Sequence, residues 1–399
     1  MRLLRRRKVR SLVLLGMLSL GIGAYSVSGL PDGVWINEGS QYTFDDGLNL
    51  FGPIEQTAGA GTSEASFRLF GVVPLKKVNL TVTKPMELIP GGYPTGIRFV
   101  TDGVMVVGMG NVETADGLKN PAYDAGVRVK DIILKVNGKK VGSSKELGEH
   151  FRASGGKAVT LTVKRNNATI KIQVSPAKSA QDGLYRAGLW VRDSTAGIGT
   201  ITYIDPATGR FGALGHGISD IDTGEIMPLS TGSVLKAVII DIRKGVSGDP
   251  GELKGIFMET ENTGRLYKNT EEGIYGQLNE GFYKSLKTVK VGYKQDVTEG
   301  EAVILSCIDG SQPKVYKIEI VRAYKSGHEK TKNMLIRVTD SELLQKTGGI
   351  VQGMSGSPIL QNGKLIGAVT HVLVNDPARG YGIFIENMLQ HTAELKTAA

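Results

Sequence analysis

The sequence predicts a mainly β protein with some α-helix, and three observations lead to this fold class. Glycine is abundant at 54 residues and proline modest at 14, which together with frequent Val, Ile and Thr favours short strands joined by tight turns over long helices. Apolar residues occupy every second position from Val78 to Val82, as a half-buried strand requires. Asn137-Gly138, between two apolar runs, is typical of a two-residue β-hairpin. The 399 residues are enough for two or three domains.

The formal net charge of +9 is concentrated at the N-terminus. Six basic residues lie within the first ten positions, so the rest of the chain is nearly neutral and no nucleic-acid partner is expected. Residues 11–30 follow with no charge and mostly apolar side chains, a pattern typical of a membrane segment with a cytoplasmic N-terminus. We expect residues 1–31 to be a cytoplasmic tail and membrane anchor, with the later chain outside the cytoplasmic membrane. Ser26 and Ser28 also suit a signal peptidase, so release by processing stays open.

Residues 32–84 predict a small β-rich lead-in region. Strand-like pieces at 34–36, 67–74 and 78–82 alternate with turn residues, and 59–66 is a polar loop of small residues. The pattern points to no particular chemistry.

Residues 85–180 carry a long and specific motif. A strand at 103–108, a helical turn closed at Gly126, and a second strand at 132–136 precede the hairpin. The run P-A-Y-D-A-G-V-R-V-K-D-I-I-L-K-V-N-G-K-K-V at 121–141 resembles the PDZ domain of bacterial proteases. In that family a peptide adds as an extra strand beside a glycine-rich loop that captures a carboxylate. The resemblance implies that residues 90–97 form this loop, with peptide-binding residues Gly91, Gly92, Tyr93, Thr95, Gly96 and Ile97. The alternative is a surface turn that binds nothing.

A serine held between glycines near the C-terminus is the strongest chemical signal. Ser355 lies in G-M-S-G-S-P at 353–358, just before a strand-like apolar pair. A serine hydroxyl becomes a good nucleophile when a base takes its proton and backbone N–H groups receive the oxyanion, and glycine allows the tight turn this needs. The pattern predicts Ser355 as nucleophile, with the N–H groups of Gly353 and Ser355 as the oxyanion hole. An ordinary glycine-rich turn is the alternative.

Of the five histidines, His216 is the one best placed to act as a general base. It lies between Gly215 and Gly217 in an otherwise apolar strand-turn segment. An imidazole there can be partly buried and still be approached by another segment of chain. A structural histidine is the alternative.

Four features together resemble the SpoIVB peptidase family, which is named for stage IV sporulation protein B. They are G-A-L-G-H-G-I-S-D at 212–220, G-G-I-V-Q-G-M-S-G-S-P-I at 348–359, the PDZ-like unit, and the basic N-terminal membrane segment. The resemblance implies a serine peptidase related to the trypsin-like group, with residues 181–399 as its β-barrel domain. It also implies that His216 is the general base and Ser355 the nucleophile.

The same resemblance implies that Asp340 is the third member of a catalytic triad. An aspartate in that role accepts the Nδ1 proton of the histidine and stabilises the imidazolium. Asp340 follows the histidine by more than a hundred residues and shortly precedes the serine, which departs from the trypsin spacing. From the residues alone, a helix N-cap is the alternative, since Ser341-Glu342 follows. Rival aspartates are Asp220, Asp222, Asp249 and Asp309.

The strand-like run at 364–371 ends in His371. In trypsin-like barrels this strand lines the pocket for the substrate residue before the cleaved bond. His371 is therefore either a residue that helps choose substrates or a structural one.

The family implies a membrane-anchored signalling endopeptidase of endospore-forming bacteria. Such an enzyme cleaves itself and a membrane regulatory protein in the space between forespore and mother-cell membranes, which triggers intramembrane processing of a late mother-cell sigma factor. Its partners are then that regulatory protein, the membrane and its own chain. Two other classes stay open: a quality-control protease of the HtrA type, which usually places its protease before the PDZ domain, and a catalytically silent PDZ scaffold.

No cofactor or metal is expected. The His, Cys, Asp and Glu residues show no metal-ligand spacing, and no phosphate-binding loop follows a strand. The single cysteine, Cys307, excludes an internal disulfide framework.

Overall fold

The chain folds into a mainly β protein, 56% strand and 10% helix, which confirms the predicted fold class. The computed structural model describes residues 30–31, 33–43, 51–54, 60–166, 168–325 and 329–393. The predicted membrane segment falls almost entirely outside these ranges. Within them, no helix has the length and apolar character needed to cross a membrane.

The lead-in region forms a three-stranded sheet in the order β1-β3-β2. Its strands are β1 (Gly33–Asn37), β2 (Gly61–Leu69) and β3 (Val73–Thr83). Strand β1 runs parallel to β3, and Phe67 packs edge-on against Tyr42 and Phe51 in the small core. At the far end of β3, the hydroxyl of Thr83 lies 2.7 Å from the Tyr293 hydroxyl of the peptidase region.

The PDZ region follows, with two helices among its strands. Its elements are β4 (Glu87–Pro90), β5 (Pro94–Met109), β6 (Val112–Thr114), β7 (Gly117–Lys119), α1 (Pro121–Asp124), β8 (Ile132–Val136), β9 (Lys139–Lys140), α2 (Ser144–Ala153), β10 (Val159–Arg165), β11 (Ala168–Val174), β12 (Ala177–Lys178) and β13 (Tyr185–Arg186). Helix α2 is capped by Ser143, whose hydroxyl accepts from the Glu146 N–H, and the Glu146 carboxylate accepts from the Gly142 N–H just before the cap. Leu147 and Phe151, one turn apart, bury its inner face.

The peptidase region supplies the remaining elements. They are β14 (Leu189–Ile204), β15 (Arg210–Ala213), β16 (Leu229–Arg243), β17 (Glu252–Thr270), β18 (Gly273–Leu278), α3 (Glu280–Tyr283), β19 (Val289–Val291), a 3₁₀ turn (Lys294–Asp296), β20 (Gly300–Ser306), β21 (Lys314–Ala323), β22 (Met334–Val338), α4 (Ser341–Thr347), β23 (Pro358–Gln361), β24 (Lys364–Leu373), β25 (Asp376–Phe384) and α5 (Ile385–Ala393).

These strands close into two six-stranded rings, which confirms the predicted β-barrel. The first ring runs β5-β14-β15-β18-β17-β16 and returns to β5. The second runs β20-β21-β22-β25-β24-β23 and returns to β20. Closure pairs the edge strands, and each barrel surrounds its own apolar core.

Two long strands join the PDZ region to the first barrel. Strand β5 pairs with barrel strands up to Thr101 and with β8 of the PDZ region at Val104 and Met105. Between them Gly103 has φ +94°, and a Cβ there would lie 2.8 Å from the Ile133 carbonyl oxygen. Strand β14 likewise begins against the PDZ part of β5 and ends in the barrel. The units predicted at 85–180 and 181–399 are therefore continuous through two shared strands.

Candidate active site

A cleft between the two barrels brings together the predicted base and the predicted nucleophile. His216 follows β15 of the first barrel, and Ser355 precedes β23 of the second. Both line a cavity of about 480 Å³, together with Gly353 and His371. The chain reaches His216 through Gly215 at φ +69°, where a Cβ would lie 2.8 Å from the Thr370 side chain. A larger residue at 215 would push the two barrels apart at this point.

The loop that carries Ser355 is fixed to the first barrel by its carbonyl groups. The Thr200 hydroxyl donates to the Gly353 carbonyl at 2.8 Å, and the Thr200 N–H donates to the Ser355 carbonyl at 3.2 Å. Gly356 has φ +94°, and a Cβ there would lie 2.1 Å from the Thr200 carbonyl oxygen. No hydrogen bond of the described residues uses the N–H group of Gly353 or Ser355. Two free donors beside the serine are what an oxyanion hole needs.

The His216 ring is held by the backbone of its neighbour. Its Nδ1 lies 2.9 Å from the Gly217 carbonyl oxygen, so a proton on Nδ1 is donated to that oxygen and Nε2 is left as the acceptor. Burial lowers the pKa of His216 below its ordinary value, and the bond to Gly217 partly opposes this shift. A neutral imidazole with a free Nε2 is the state that a general base requires.

The lowered pKa of His216 predicts the pH dependence of the reaction. Since the neutral ring accepts the serine proton, activity falls as pH drops through the pKa of His216. We expect the rate at which a serine-directed reagent labels the protein to have an acid-side midpoint below 6.5, the ordinary histidine value. Labelling rates measured between pH 4 and 8 test this, and a midpoint above 6.5 would contradict it.

Ser355 does not bind His216 in this structure. Its hydroxyl donates to the Thr370 carbonyl oxygen at 2.8 Å. Among the residues that the structure describes, no hydrogen bond joins the two side chains. Catalytic hydrogen bonds often tighten only when substrate binds, and one rotation of the serine side chain changes its partner.

His371 lies against the predicted base. The two imidazole ring centroids are 5.1 Å apart, with the planes tilted by 39°. Burial, together with the nearby His216 and Lys332, lowers the pKa of His371 to about 4. His371 is therefore neutral near pH 7, and in the described chain its buried Nδ1 has no hydrogen-bond partner. It lines the cleft, as the sequence led us to expect of a residue on this strand.

Asp340 does not meet His216, contrary to the triad that the resemblance implies. Its carboxylate accepts from the Leu343 N–H at 3.0 Å and from the Lys317 N–H at 3.2 Å, so it caps helix α4. In the described chain no hydrogen bond or ion pair joins it to His216, and it does not line the cleft. Of the rival aspartates, three bind arginines: Asp220 and Asp222 bind Arg192, and Asp249 binds Arg243.

The histidine is positioned instead by the turn between β17 and β18, to which the sequence predictions gave no role. The carbonyl oxygen of Glu271, between β17 and β18, accepts from the Gly217 N–H at 3.2 Å. The Asn269 side chain bonds both the N–H and the carbonyl of Ile218, each at 2.9 Å. These contacts hold the backbone on which the Nδ1 contact of His216 depends. The signal in the sequence was weak, because N-T-E-E-G at 269–273 reads as an ordinary hairpin turn.

The predicted peptide-capturing loop at 90–97 is wrong, because the barrel uses it. The Gly91 and Gly92 N–H groups donate to the carbonyls of Thr202 and Ile201. From residue 95 to 97 the strand pairs with β14 on one edge and β16 on the other, so no edge is left for a peptide. The residues concerned are Gly91, Gly92, Tyr93, Thr95, Gly96 and Ile97.

A different groove lies beside helix α2. It has a volume of about 420 Å³, with Leu147 and Phe151 on one side and residues 184–191 on the other. From Leu189 to Val191, β14 pairs with β5 along one edge, and no described strand pairs with its other edge. The turn before it contains Gly188 at φ +76°, where a Cβ would lie 2.3 Å from the Gly110 carbonyl oxygen. The sequence signal for this groove was a glycine followed by an apolar strand. It was overlooked because the PDZ domain was predicted to end at residue 180.

The fold and the cleft define a serine peptidase that carries a PDZ domain. The family model of the SpoIVB peptidase S55 matches residues 183–389, more than half of the chain, and that of the PDZ domain matches residues 96–175. The chain belongs to the SpoIVB peptidase S55 family, as its motifs predicted.

Other similarities cover smaller parts of the chain. A putative zinc metalloprotease, LL2128 of Lactococcus lactis, is 31% identical over 136 residues, which is 34% of this chain and 27% of that relative. This chain thus spans about a quarter of that relative's length. No group of three or more His, Cys, Asp or Glu residues that could hold a metal occurs in the ranges described above.

Two solved structures are similar to parts of the chain. The PDZ domain of the SdrC-like protein Lmo2051 from Listeria monocytogenes is 21% identical, covers 23% of this chain and 87% of its own, and has a TM-score of 0.19. The active form of the Rv3671c protease from M. tuberculosis is 16% identical, covers 51% and 76%, and has a TM-score of 0.29. Likenesses at this level carry no information about substrate or partner.

Proposed function

We propose that the protein is a sporulation signalling endopeptidase, which cleaves itself and a membrane regulatory protein outside the cytoplasm and so triggers intramembrane processing of a late mother-cell sigma factor. The observation that carries the proposal is the placement of His216 and Ser355 in one cleft of a chain that belongs to the SpoIVB peptidase family. The catalytic pair that we propose is Ser355 as nucleophile and His216 as general base.

The reaction that this arrangement supports begins with a change of partner for Ser355. Its hydroxyl leaves the Thr370 carbonyl, gives its proton to Nε2 of His216 and attacks the peptide carbonyl. The N–H groups of Gly353 and Ser355 bind the oxyanion, and the Gly217 carbonyl keeps the proton on Nδ1 of His216. The imidazolium then protonates the leaving amine, and water hydrolyses the acyl-enzyme.

The groove beside α2 supports a role for the PDZ domain in holding a peptide. A chain added at the free edge of Leu189 to Val191 would lie on β14 itself. Further along, residues 195–198 of the same strand line the catalytic cleft. One strand therefore carries both the peptide edge and a wall of the active site. In this proposal the PDZ ligand is the protein's own chain or a partner's chain.

The proposed function is tested by coexpressing the full chain with the candidate membrane regulator in a non-sporulating host. Cleavage of both proteins by the wild type and of neither by the Ser355→Ala variant supports the proposal. If unrelated unfolded proteins are degraded as well as the regulator is, the result supports a quality-control protease instead. An intact regulator beside a self-cleaving enzyme would exclude that regulator as substrate.

The peptide groove gives a second prediction, based on two glycines with left-handed backbones. Gly188→Ala places a Cβ 2.3 Å from the Gly110 carbonyl oxygen, whereas Gly183→Ala meets only the Lys178 side chain at 3.9 Å. We expect Gly188→Ala to slow self-cleavage severalfold because it distorts the groove, and Gly183→Ala to leave it nearly unchanged. Both variants should react with a serine-directed reagent at the wild-type rate. Equal self-cleavage by the two variants would contradict this role of the groove.

A further inference from the structure

The hairpin between β2 and β3 presents an apolar tip to solvent. Residues 70–75 read F-G-V-V-P-L, and all six are exposed. The side chains of Phe70 and Val72 are 70% and 72% exposed. The turn itself is ordered, because the N–H groups of Gly71 and Val72 donate to carbonyls of β2. Contiguous apolar surface of this kind marks an interaction site, since water disfavours it.

The tip lies at the end of the lead-in sheet where the N-terminal segment enters. Strands β1 and β3 are parallel, with Gly33 opposite Asn79, so the residues before β1 run alongside the start of β3. The Lys76 ammonium donates to the Leu30 carbonyl oxygen at 2.5 Å. Leu30 is the last residue of the uncharged apolar run at 11–30.

The opposite end of the same strand contacts the peptidase region. Thr83, the last residue of β3, bonds the Tyr293 hydroxyl. The Lys294 ammonium of the peptidase region also donates to the Gly33 carbonyl oxygen, and Gly33 pairs with Asn79 of β3. Asn79 lies six residues beyond Val73, the first residue of β3, so the tip is held about 20 Å from this second contact, at roughly 3.3 Å per residue. The lead-in sheet therefore separates the tip from the body of the enzyme.

The charges around the tip are mainly basic. Arg68, Lys76 and Lys77 flank it, and the acidic residue Glu64 of β2 pairs with Lys77 at 2.8 Å, which leaves a net positive charge. This arrangement suits the surface of a lipid bilayer. The apolar tip can be buried among the acyl chains while the charged ends of the long basic side chains contact the phosphate headgroups.

We propose that the tip at residues 70–75 inserts into the surface of a lipid bilayer that contains anionic headgroups. A run as long as 11–30 matches the thickness of a membrane. Because that run ends beside Lys76, a chain anchored through it holds the tip at the bilayer surface. Lipid is therefore the occupant that the position and the charges favour over another protein. The inference concerns attachment and does not depend on the peptidase reaction.

The experiment uses the full-length protein reconstituted in vesicles of phosphatidylcholine and phosphatidylglycerol. The chain has one cysteine, Cys307, which is buried at 3% exposure, so an introduced cysteine can be labelled selectively. Val72→Cys carries an environment-sensitive fluorophore at the tip. Leu118→Cys, at a site that is 69% exposed in the PDZ region, is the matched control. Both sites are exposed, so the fold should be retained, and circular dichroism checks this.

We expect the fluorophore at 72 to emit at shorter wavelength than the one at 118. Iodide in the buffer should quench it severalfold less, and quenchers attached to lipid chains severalfold more. Emission and quenching equal to those of the control would overturn the proposal. A blue shift at 72 without quenching by the lipid-borne groups would overturn it too, because the tip would then be covered by protein.

Discussion

Ser355→Ala should abolish self-cleavage and labelling by a serine-directed reagent. His216→Ala should lower the labelling rate by about 10⁶-fold, as in other serine peptidases that lose the nucleophile or the base. The physical reason is that the hydroxyl is inert until His216 accepts its proton. Both side chains line one cleft, and Nε2 of His216 has no competing partner in the described chain. The rate is measured on the purified full chain, and self-cleavage is followed by gel electrophoresis.

Ser357→Ala is the matched control for the serine variant. Ser357 lies two residues further along the same loop, but it is buried and its hydroxyl donates to that of Ser306 at 3.0 Å. Loss of this hydroxyl should lower the free energy of unfolding by about 1 kcal/mol, the value of one buried hydrogen bond. The labelling rate should stay within tenfold of the wild type. Self-cleavage that persists in Ser355→Ala would show that another protease cuts the chain. Equal loss in folded Ser357→Ala would show that the loop, rather than one hydroxyl, is needed.

Asp340→Asn should keep activity within about tenfold of the wild type, because asparagine caps a helix as well as aspartate does. Asp340→Ala should lower the free energy of unfolding by about 1 kcal/mol through loss of that cap. It should also reduce activity, since helix α4 leads through Gly348 into the loop that carries Ser355. A triad aspartate behaves differently, because its change to asparagine lowers kcat by about 10⁴-fold.

Labelling rates, their pH profiles and thermal unfolding separate these two roles of Asp340. In the capping role, the asparagine variant keeps the wild-type profile, and activity in the alanine variant falls together with stability. A fully folded Asp340→Asn protein with a rate about 10⁴-fold lower would reinstate the triad, with the carboxylate moving to His216 when substrate binds.

The sequence could point to two residues that share one cleft, Ser355 and His216, because its signals are local. Ser355 and His216 each lie between nearby glycines, and the glycines at 215 and 356 are required where the two barrels touch. The partner of His216 was harder to predict, because an aspartate before Ser-Glu-Leu-Leu fits a helix cap and a triad equally well. Only the hydrogen bonds of Asp340 distinguish the two roles.

The groove beside α2 could not be predicted because strand pairing is not visible in local sequence. Gly91 and Gly92 have the composition of a carboxylate-capturing loop, but they bond to strand β14, more than a hundred residues later. The strand that borders the groove beside α2 is Leu189 to Val191, which follows the rest of the PDZ region in the chain. Pairing between such distant segments depends on the whole fold.

The continuity of β14 has a mechanical consequence. Its first residues border the groove beside α2, while Thr200 near its other end holds the carbonyls of Gly353 and Ser355. An extended strand resists compression along its axis. A displacement of its first residues is therefore transmitted to Thr200 unless a flexible point lies between them. Two register shifts in its pairing with β5, at Trp190/Val191 and Arg192/Ser194, lie between these ends. The rigidity of β14 at these two places determines how much of a displacement at the groove reaches Thr200.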